Sequence, residues 1–304
     1  MSPAPGETPA GPAADPGPRA HPVGAGTVGE AIRRLAARFA ATGLDSPRLD
    51  AELLVADAIG ADRARLFLSP DRALTAEQAA RIADHEDGRA VRRASVAHLL
   101  GVRGFRHLDL RVDGRVLVPR PETELLVEVG LELPAGATVV DVGTGSGAIA
   151  LALEDERPDL VVHATDVSAD ALDVARRNAE DHGSRVVFHE ADLLDGLPPL
   201  GRPLAVLSNP PYVPDGDLAS LPPEVAGHDP HLALFGGPDG LDVVRRLLPA
   251  ARARGASLVA VEIGRGQAEA TAELARAAGF ATTEIRDDLA GIGRVVVGRA
   301  GEAA

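Results

Sequence analysis

The stretch Asp141-Val142-Gly143-Thr144-Gly145-Ser146-Gly147 decides how the chain is read. It follows an apolar run, Thr138–Val142, and opens a helical one, Ala148-Ile-Ala-Leu-Ala-Leu. Glycines at a strand-to-helix junction let the backbone turn tightly and approach a ligand where a Cβ would collide. The spacing is G-x-G-x-G, not the G-x-G-x-x-G of dinucleotide folds. Asp166 lies 25 residues beyond Asp141, at the end of the next apolar run. An acid there can accept the hydroxyl hydrogens of a ribose. The glycine run alone would equally suit a tight turn beside a helix-capping Asp; strand, glycines, helix, strand and acid together predict a nucleoside-cofactor site.

Working outward, apolar runs alternate with helical stretches. Strand candidates are Thr138–Val142, Val161–Thr165, Val186–His189, Leu204–Ser208 and Ser257–Ile263, and a helix is expected from Ser168, as N-cap, to His182, with Gly183 as its stop. This alternation predicts a mostly parallel sheet with helices on both faces. Thr282–Arg286 and Arg294–Gly298 are joined by only a short loop, which fits an antiparallel pair and not a crossover.

Upstream the pattern changes. Residues 1–26 hold eighteen Pro, Gly or Ala and are expected to be a disordered tail. Residues 27–95 read as a helical domain: Thr27 and Glu30 form a capping box before a 3.6-residue period, a second helix begins at Asp50 and stops near Gly60, and a third runs from Thr75 to about Arg92. Residues 96–118 shift towards period 2, and Asp113-Gly114 between apolar alternations predicts a β-hairpin linker turning there. The last domain is then 119–300.

Composition bounds the partners. Of 304 residues, 31 are basic, all Arg, against 45 acidic, a net charge of −14. The helical domain is neutral, with 11 Arg and 11 acids, whereas residues 96–304 carry 19 Arg against 32 acids. That balance opposes a broad phosphate-binding surface, so no stable nucleic-acid binding is expected. There is no cysteine, which excludes disulfides, thiolate metal sites and Cys nucleophiles. The nine histidines form no two-His helical pair beside a Glu, so no metal is expected. No run approaches the ~20 apolar residues of a membrane span, and the N-terminus lacks a secretory pattern, so a cytoplasmic protein is expected.

The second chemical stretch is Ser208-Asn209-Pro210-Pro211-Tyr212, after the fourth strand, at the carboxyl edge where open α/β sheets bind ligands. Two prolines stiffen the loop and donate no N–H. The Asn209 side chain and the Pro210 carbonyl can then both accept from one planar –NH2 group, while Tyr212, the only Tyr, offers a flat face and a hydroxyl. Accepting both hydrogens concentrates electron density on a nitrogen that resonance makes a poor nucleophile.

At these residues the chain resembles class I S-adenosylmethionine-dependent methyltransferases, and in detail the release-factor glutamine N5-methyltransferases, the PrmC/HemK family. Pro119-Arg120-Pro121-Glu122-Thr123-Glu124, Asp141–Gly147, Asn209–Tyr212, Leu234–Asp242, Val261–Gln267 and Leu289–Val296 are all similar to family segments. Ser95–Gly101 and His228–His231 depart from the usual pattern. The resemblance implies a seven-stranded, Rossmann-like α/β sheet with an antiparallel last strand. It implies that Gly143, Thr144, Gly145, Ser146 and Gly147 cradle S-adenosylmethionine, that Asp166 takes the ribose, that Asp192 and Leu193 border the adenine, and that Asn209 also touches the cofactor. Asn209, Pro210, Pro211 and Tyr212 would hold the substrate amide, with Asn209, Pro210 and Tyr212 as the catalytic set. The implied substrate is the glutamine of the Gly-Gly-Gln loop of class I peptide chain release factors, methylated by a monomer whose helical domain docks the partner.

Three other activities compete. Ribosomal-protein glutamine methylation shares this chemistry. Adenine-N6 methylation of nucleic acid shares the need to grip an amino group, but requires a flipped base and a basic groove, which the charge opposes. A dinucleotide-dependent oxidoreductase, or a non-catalytic nucleoside-binding module, would leave Asn209–Tyr212 unexplained and meets the wrong glycine spacing.

Overall fold

The computed structural model describes residues 26–301. The expected tail, 1–26, therefore lies outside the described residues except for Gly26. The chain separates into two compact units, with the division after Asp84. Among the described residues no helix is long and apolar enough to cross a membrane.

The first unit contains α1 (Val28–Ala41), α2 (Pro47–Ile59), α3 (Arg63–Leu68) and the start of α4 (Ala76–Ala90). The capping box is formed: the Thr27 hydroxyl accepts the Glu30 N–H while the Glu30 carboxylate accepts the Thr27 N–H. Gly60 ends α2 in the left-handed region, as its position after the apolar run predicts. Val28, Leu35, Phe39, Leu54, Val55 and Ile82 are buried. Helix α3, which the sequence reading missed, is a single short element whose Arg63 donates to the buried Glu52 beside Arg48.

The second unit opens with α5 (Val96–Leu100), capped by Ser95 and ended by Gly101, and a hairpin of β1 (Val102–Phe105) and β2 (Leu108–Arg111). A hairpin falls within residues 96–118, but it is not the one expected: its turn is not Asp113-Gly114, and Val116–Val118 forms no strand. The strands pair Val102 with Arg111 and Phe105 with Leu108, so Arg106-His107 makes the turn, with Arg106 at φ 52°. Tertiary contact overrides turn propensity here. The Arg106 guanidinium grips both oxygens of Glu156 at 2.7 and 2.6 Å, while Phe105, Leu108 and Leu110 turn inward. Asp113 instead folds back on the N–H and guanidinium of Arg115.

There follow α6 (Glu124–Leu131), β3 (Thr138–Val142), α7 (Ala148–Glu156), β4 (Val161–Asp166), α8 (Ala169–His182), β5 (Val187–Glu190), β6 (Leu204–Ser208), α9 (Pro223–Ala226), α10 (Asp242–Ala253), β7 (Leu258–Glu262), α11 (Ala268–Ala277), β8 (Thr282–Asp287) and β9 (Gly293–Arg299). The seven strands β3–β9 form one sheet in the order β5-β4-β3-β6-β7-β9-β8. All neighbours are parallel except that β9 runs antiparallel to both β7 and β8. Helix α8 begins on the Ser168 cap and ends on left-handed Gly183, as expected.

The inner strands read as unbroken apolar runs because both faces are covered. Val139, Ala205, Leu207, Leu258 and Ala260 turn one way, into a core with residues of α6 and α7; Val140, Val142, Val206, Val259 and Val261 turn the other way, into a core with residues of α10 and α11. Register then sets the site. Thr165 pairs with Val142, Val142 with Ser208, and Ser208 with Val261. The residues that follow, Asp166, Gly143, Asn209 and Glu262, therefore leave four adjacent strands at one level. Chain order reverses between β3 and β6, which is where open sheets leave a crevice.

Candidate active site

A cleft of about 370 Å³ lies at that crevice, within the usual range for small-molecule sites. Gly143, Thr144, Gly145, Ser146, Asp166, Asp192, Leu193, Asn209, Pro210 and Pro211 all border it. Two expected residues do not. Gly147 sits behind the loop as the left-handed N-cap of α7, against Leu151 and Ala175. Tyr212 borders a neighbouring cavity of about 310 Å³, with Arg120 and Val213, which shares Leu117 and Ala233 with the cleft.

The glycine loop is held from beneath. Asp141 is fully buried; its Oδ2 accepts the Thr144 hydroxyl at 2.6 Å and the Ala150 N–H at 3.2 Å, so it ties the loop to the first turn of α7. Burial pushes its carboxyl up to about 7. Gly143 and Gly145 have φ of 72° and 56°, and no described atom lies within 4 Å of where a Cβ would stand. The backbone at both positions thus faces open cleft. Asn178 on α8 donates to the Ser146 carbonyl at 2.8 Å, bracing the loop from the other side.

Asp166 already has structural work. Its Oδ2 accepts the Gly145 N–H and its Oδ1 the Ser168 N–H, both at 2.9 Å. Burial raises its pKa and these N–H groups oppose the rise. Each oxygen keeps a lone pair for a ligand hydroxyl. Asp192 is exposed and paired with Arg246 at 2.6 Å. Leu193 has φ 55°, and its carbonyl accepts the Thr165 hydroxyl.

At Asn209 the arrangement is asymmetric. Its Nδ2 donates to the Thr123 hydroxyl at 3.1 Å, while its Oδ1 is buried with no hydrogen-bond partner among the described residues. A buried acceptor without a donor is costly, so this oxygen has unused capacity for an N–H or O–H donor. The loop that carries it is strapped by a segment further along the chain, Leu234–Asp242. Val213 donates to the Leu234 carbonyl and Gly236 to the Val213 carbonyl, both at 2.9 Å. Gln267 adds a strut, its Nε2 donating to the Tyr212 and Asp239 carbonyls at 3.0 and 3.1 Å. Burial pushes the Tyr212 hydroxyl up to about 12, so it stays protonated at neutral pH.

One glycine pins this packing. Gly240 has φ 77°, and a Cβ there would collide with the Tyr212 carbonyl oxygen and the Gln267 amide. Gly240→Ala is expected to cost about 2–3 kcal/mol of stability from backbone strain and displacement of the loop. Turnover should fall further than the fraction unfolded explains; thermal melts and kcat measured together check this, and a wild-type kcat would remove the strap's role.

Sequence reasoning missed three contributors. Thr123 and Arg120 were quoted only as part of a family block, yet Thr123 holds Asn209, and Arg120 donates to the buried Asp229 at 2.6 Å. Glu262, inside the Val261–Gln267 block, is 2% exposed, lies beside Thr123, and has one oxygen without a partner among the described residues. Glu262 is placed by the register of β7 beside β6, and Thr123 and Arg120 by the turn that leads into α6, so no local pattern carries the signal.

The strand order, the glycine loop at β3 and the cleft at the switch point define a methyltransferase of the class I fold. Residues 121–220 match the family model for the methyltransferase small domain, and residues 30–101 match that for the PrmC N-terminal domain. The chain is similar to the catalytic domain of hMettl16, solved in complex with the MAT2A 3'UTR hairpin 6 (TM-score 0.53, 15% identity, covering 75% of this chain and 83% of that one), a likeness of fold alone. It is 40% identical over 268 residues to the release factor glutamine methyltransferase of Geobacter sulfurreducens, covering 86% of this chain and 93% of the relative. It is 41% identical to that of Caulobacter vibrioides, covering 86% and 92%. The chain belongs to the release factor glutamine methyltransferase family.

Proposed function

We propose that this protein transfers the methyl group of S-adenosylmethionine to the side-chain amide nitrogen of the glutamine in the Gly-Gly-Gln loop of a class I peptide chain release factor. The observation that carries the reading is the buried Asn209 Oδ1, unpartnered at the edge of the cleft while its Nδ2 is held by Thr123. A carboxamide –NH2 offers what that oxygen lacks.

The cleft residues suit the cofactor. The bare backbone at Gly143 and Gly145, with Thr144 and Ser146, would hold its methionine portion and ribose. Asp166 would accept the ribose hydroxyls, and Asp192 and Leu193 would border the adenine. When bound, S-adenosylmethionine would supply a sulfonium-activated methyl carbon, the C–S bond breaking to leave a neutral thioether as the N–C bond forms and the nitrogen gives one proton to solvent, so positioning supplies most of the catalysis. Asn209 Oδ1 and the Pro210 carbonyl would accept the two amide hydrogens, orienting the nitrogen lone pair towards the cleft. The prolines keep that pair of acceptors in place at small entropic cost. Tyr212 would flank the glutamine chain from the adjoining cavity.

The net charge of −14 supports a protein partner over nucleic acid. The helical residues 27–95 are proposed to dock the release factor, with 96–118 as linker and 119–300 as the catalytic domain. The protein is proposed to act as a monomer in the cytoplasm, where release factors work. The test mixes the protein with methyl-labelled S-adenosylmethionine and an unmodified release factor. Label on the loop glutamine by peptide mass spectrometry is expected. Label on a ribosomal protein or nucleic acid instead, or none at all, would overturn the reading.

A further inference from the structure

We infer that Glu262 and Thr123 are positioning residues that decide which end of the Asn209 side chain faces the substrate. The inference deepens the proposed function and rests on its role for Asn209.

The two ends of an asparagine amide are nearly the same size and differ in hydrogen-bond polarity. A hydroxyl both donates and accepts, so a lone Thr123 would satisfy either end of Asn209. Only one arrangement works. With Oδ1 outward, Asn209 accepts from the glutamine –NH2; with Nδ2 outward, two donors meet and the substrate amide is repelled. Something must commit Thr123 to accepting.

Glu262 does this. It ends β7 directly beside β6, because Val261 pairs with Ser208 in register. Its carboxylate lies beside the Thr123 hydroxyl, within the influence of that O–H. An ionised carboxylate only accepts, so the single Thr123 hydrogen goes to Glu262. The Thr123 oxygen is then left to accept from Asn209 Nδ2, at 3.1 Å, and Oδ1 must point away. Thr123 is 4% exposed and Glu262 2% exposed, so both are largely shielded from bulk solvent. The chain Glu262–Thr123–Asn209 thus joins three separate family segments into one polarised row.

The row depends on ionisation. Burial pushes Glu262 up to about 7, the Thr123 hydroxyl opposes the rise, Glu122 adds to it, and Arg294 and Arg120 oppose it; Tyr212 faces the same group. Above that pH the carboxylate holds Asn209 in the working orientation. Below it, protonated Glu262 donates to Thr123, which frees the hydroxyl hydrogen to bond Asn209 Oδ1 and lets the amide turn. Turnover at saturating cofactor therefore rises with pH through about 7 and levels off above.

Two measurements test this. The chain has only two asparagines, Asn178 and Asn209, so selective 15N-asparagine labelling yields two side-chain amide pairs in the free protein. The Asn209 pair should titrate with a midpoint near 7 and lose that titration in Glu262→Gln. The Asn178 pair, held by the Arg111 and Ser146 carbonyls, serves as the reference. In the methylation assay at pH 8, Glu262→Gln and Thr123→Val should each lower kcat at least ~10-fold, the equivalent of one misdirected hydrogen bond, with cofactor affinity unchanged. Their double variant should cost little more than either alone, because both act through Asn209. Thr123→Ser, which keeps the hydroxyl, should restore turnover. The pH limb should vanish in Glu262→Gln and Thr123→Val. Titration of Asp141, behind the glycine loop, falls on cofactor affinity and not on kcat at saturation. An Asn209 signal that does not titrate, or Glu262→Gln turning over at the wild-type rate with the same limb, overturns the inference. A wild-type protein that methylates no release factor sinks the proposed function instead, and the labelling result still decides the polarity.

Discussion

Asn209→Ala is expected to leave the affinity for S-adenosylmethionine within a few-fold and to lower methyl transfer to the glutamine amide by about 100- to 1000-fold, the loss that follows when one preorganised polar group is removed from a reacting centre. The asymmetry follows from where the residue stands. Asn209 leaves β6 at the level at which Gly143 leaves β3, but the glycine loop is braced independently, by Asp141 and Thr144 below and by Asn178 on Ser146. Truncating Asn209 removes a buried acceptor at the cleft edge that has no partner among the described residues, and frees Thr123. It leaves the cradle and Asp166 in place. Calorimetric titration of the cofactor and single-turnover transfer, run on the same preparation, separate the two effects. Full activity in Asn209→Ala would show that the substrate amide is oriented by something else.

Asp166→Ala should behave oppositely. Loss of a charge-assisted hydrogen bond to the ribose is expected to weaken cofactor binding by about 1–3 kcal/mol, or roughly 5- to 150-fold. The structure adds a second contribution. Both Asp166 oxygens already accept backbone N–H groups, from Gly145 and from Ser168, so truncation also loosens the glycine loop and the start of α8. Asp166→Asn separates these parts, because it keeps an acceptor while removing the charge. At saturating cofactor, kcat should recover most of its wild-type value. A variant with unchanged cofactor affinity would remove Asp166 from the binding site.

Much of the fold was legible because its signals are local. A helix such as α8 announces itself through Ser168 and Gly183, and an inner strand through an unbroken apolar run bounded by breakers. The hairpin turn was misplaced for the opposite reason. Asp113-Gly114 has the better turn chemistry, but the bidentate grip of Glu156 on Arg106 and the inward Phe105, Leu108 and Leu110 determine where the chain reverses. Helix α3 escaped notice because six residues are too few for a period to show.

The candidate site divides along the same line. The glycine loop, Asp166 and Asn209–Tyr212 are contiguous motifs, and their chemistry can be read from residue type and spacing alone. Gly147 and Tyr212 could not be located that way, since whether a residue faces the cleft or the layer behind it depends on the path of the backbone. Thr123, Glu262 and Gln267 lie far from Asn209 and Tyr212 along the chain and carry no signature of their own. Composition, periodicity and motif determined an α/β sheet with a glycine loop and an Asn-Pro-Pro-Tyr loop at one edge, because those properties reside in short runs of chain. Which end of Asn209 is held had to await the tertiary structure, because that depends on Thr123, brought alongside by the turn before α6 and not by any neighbour in sequence.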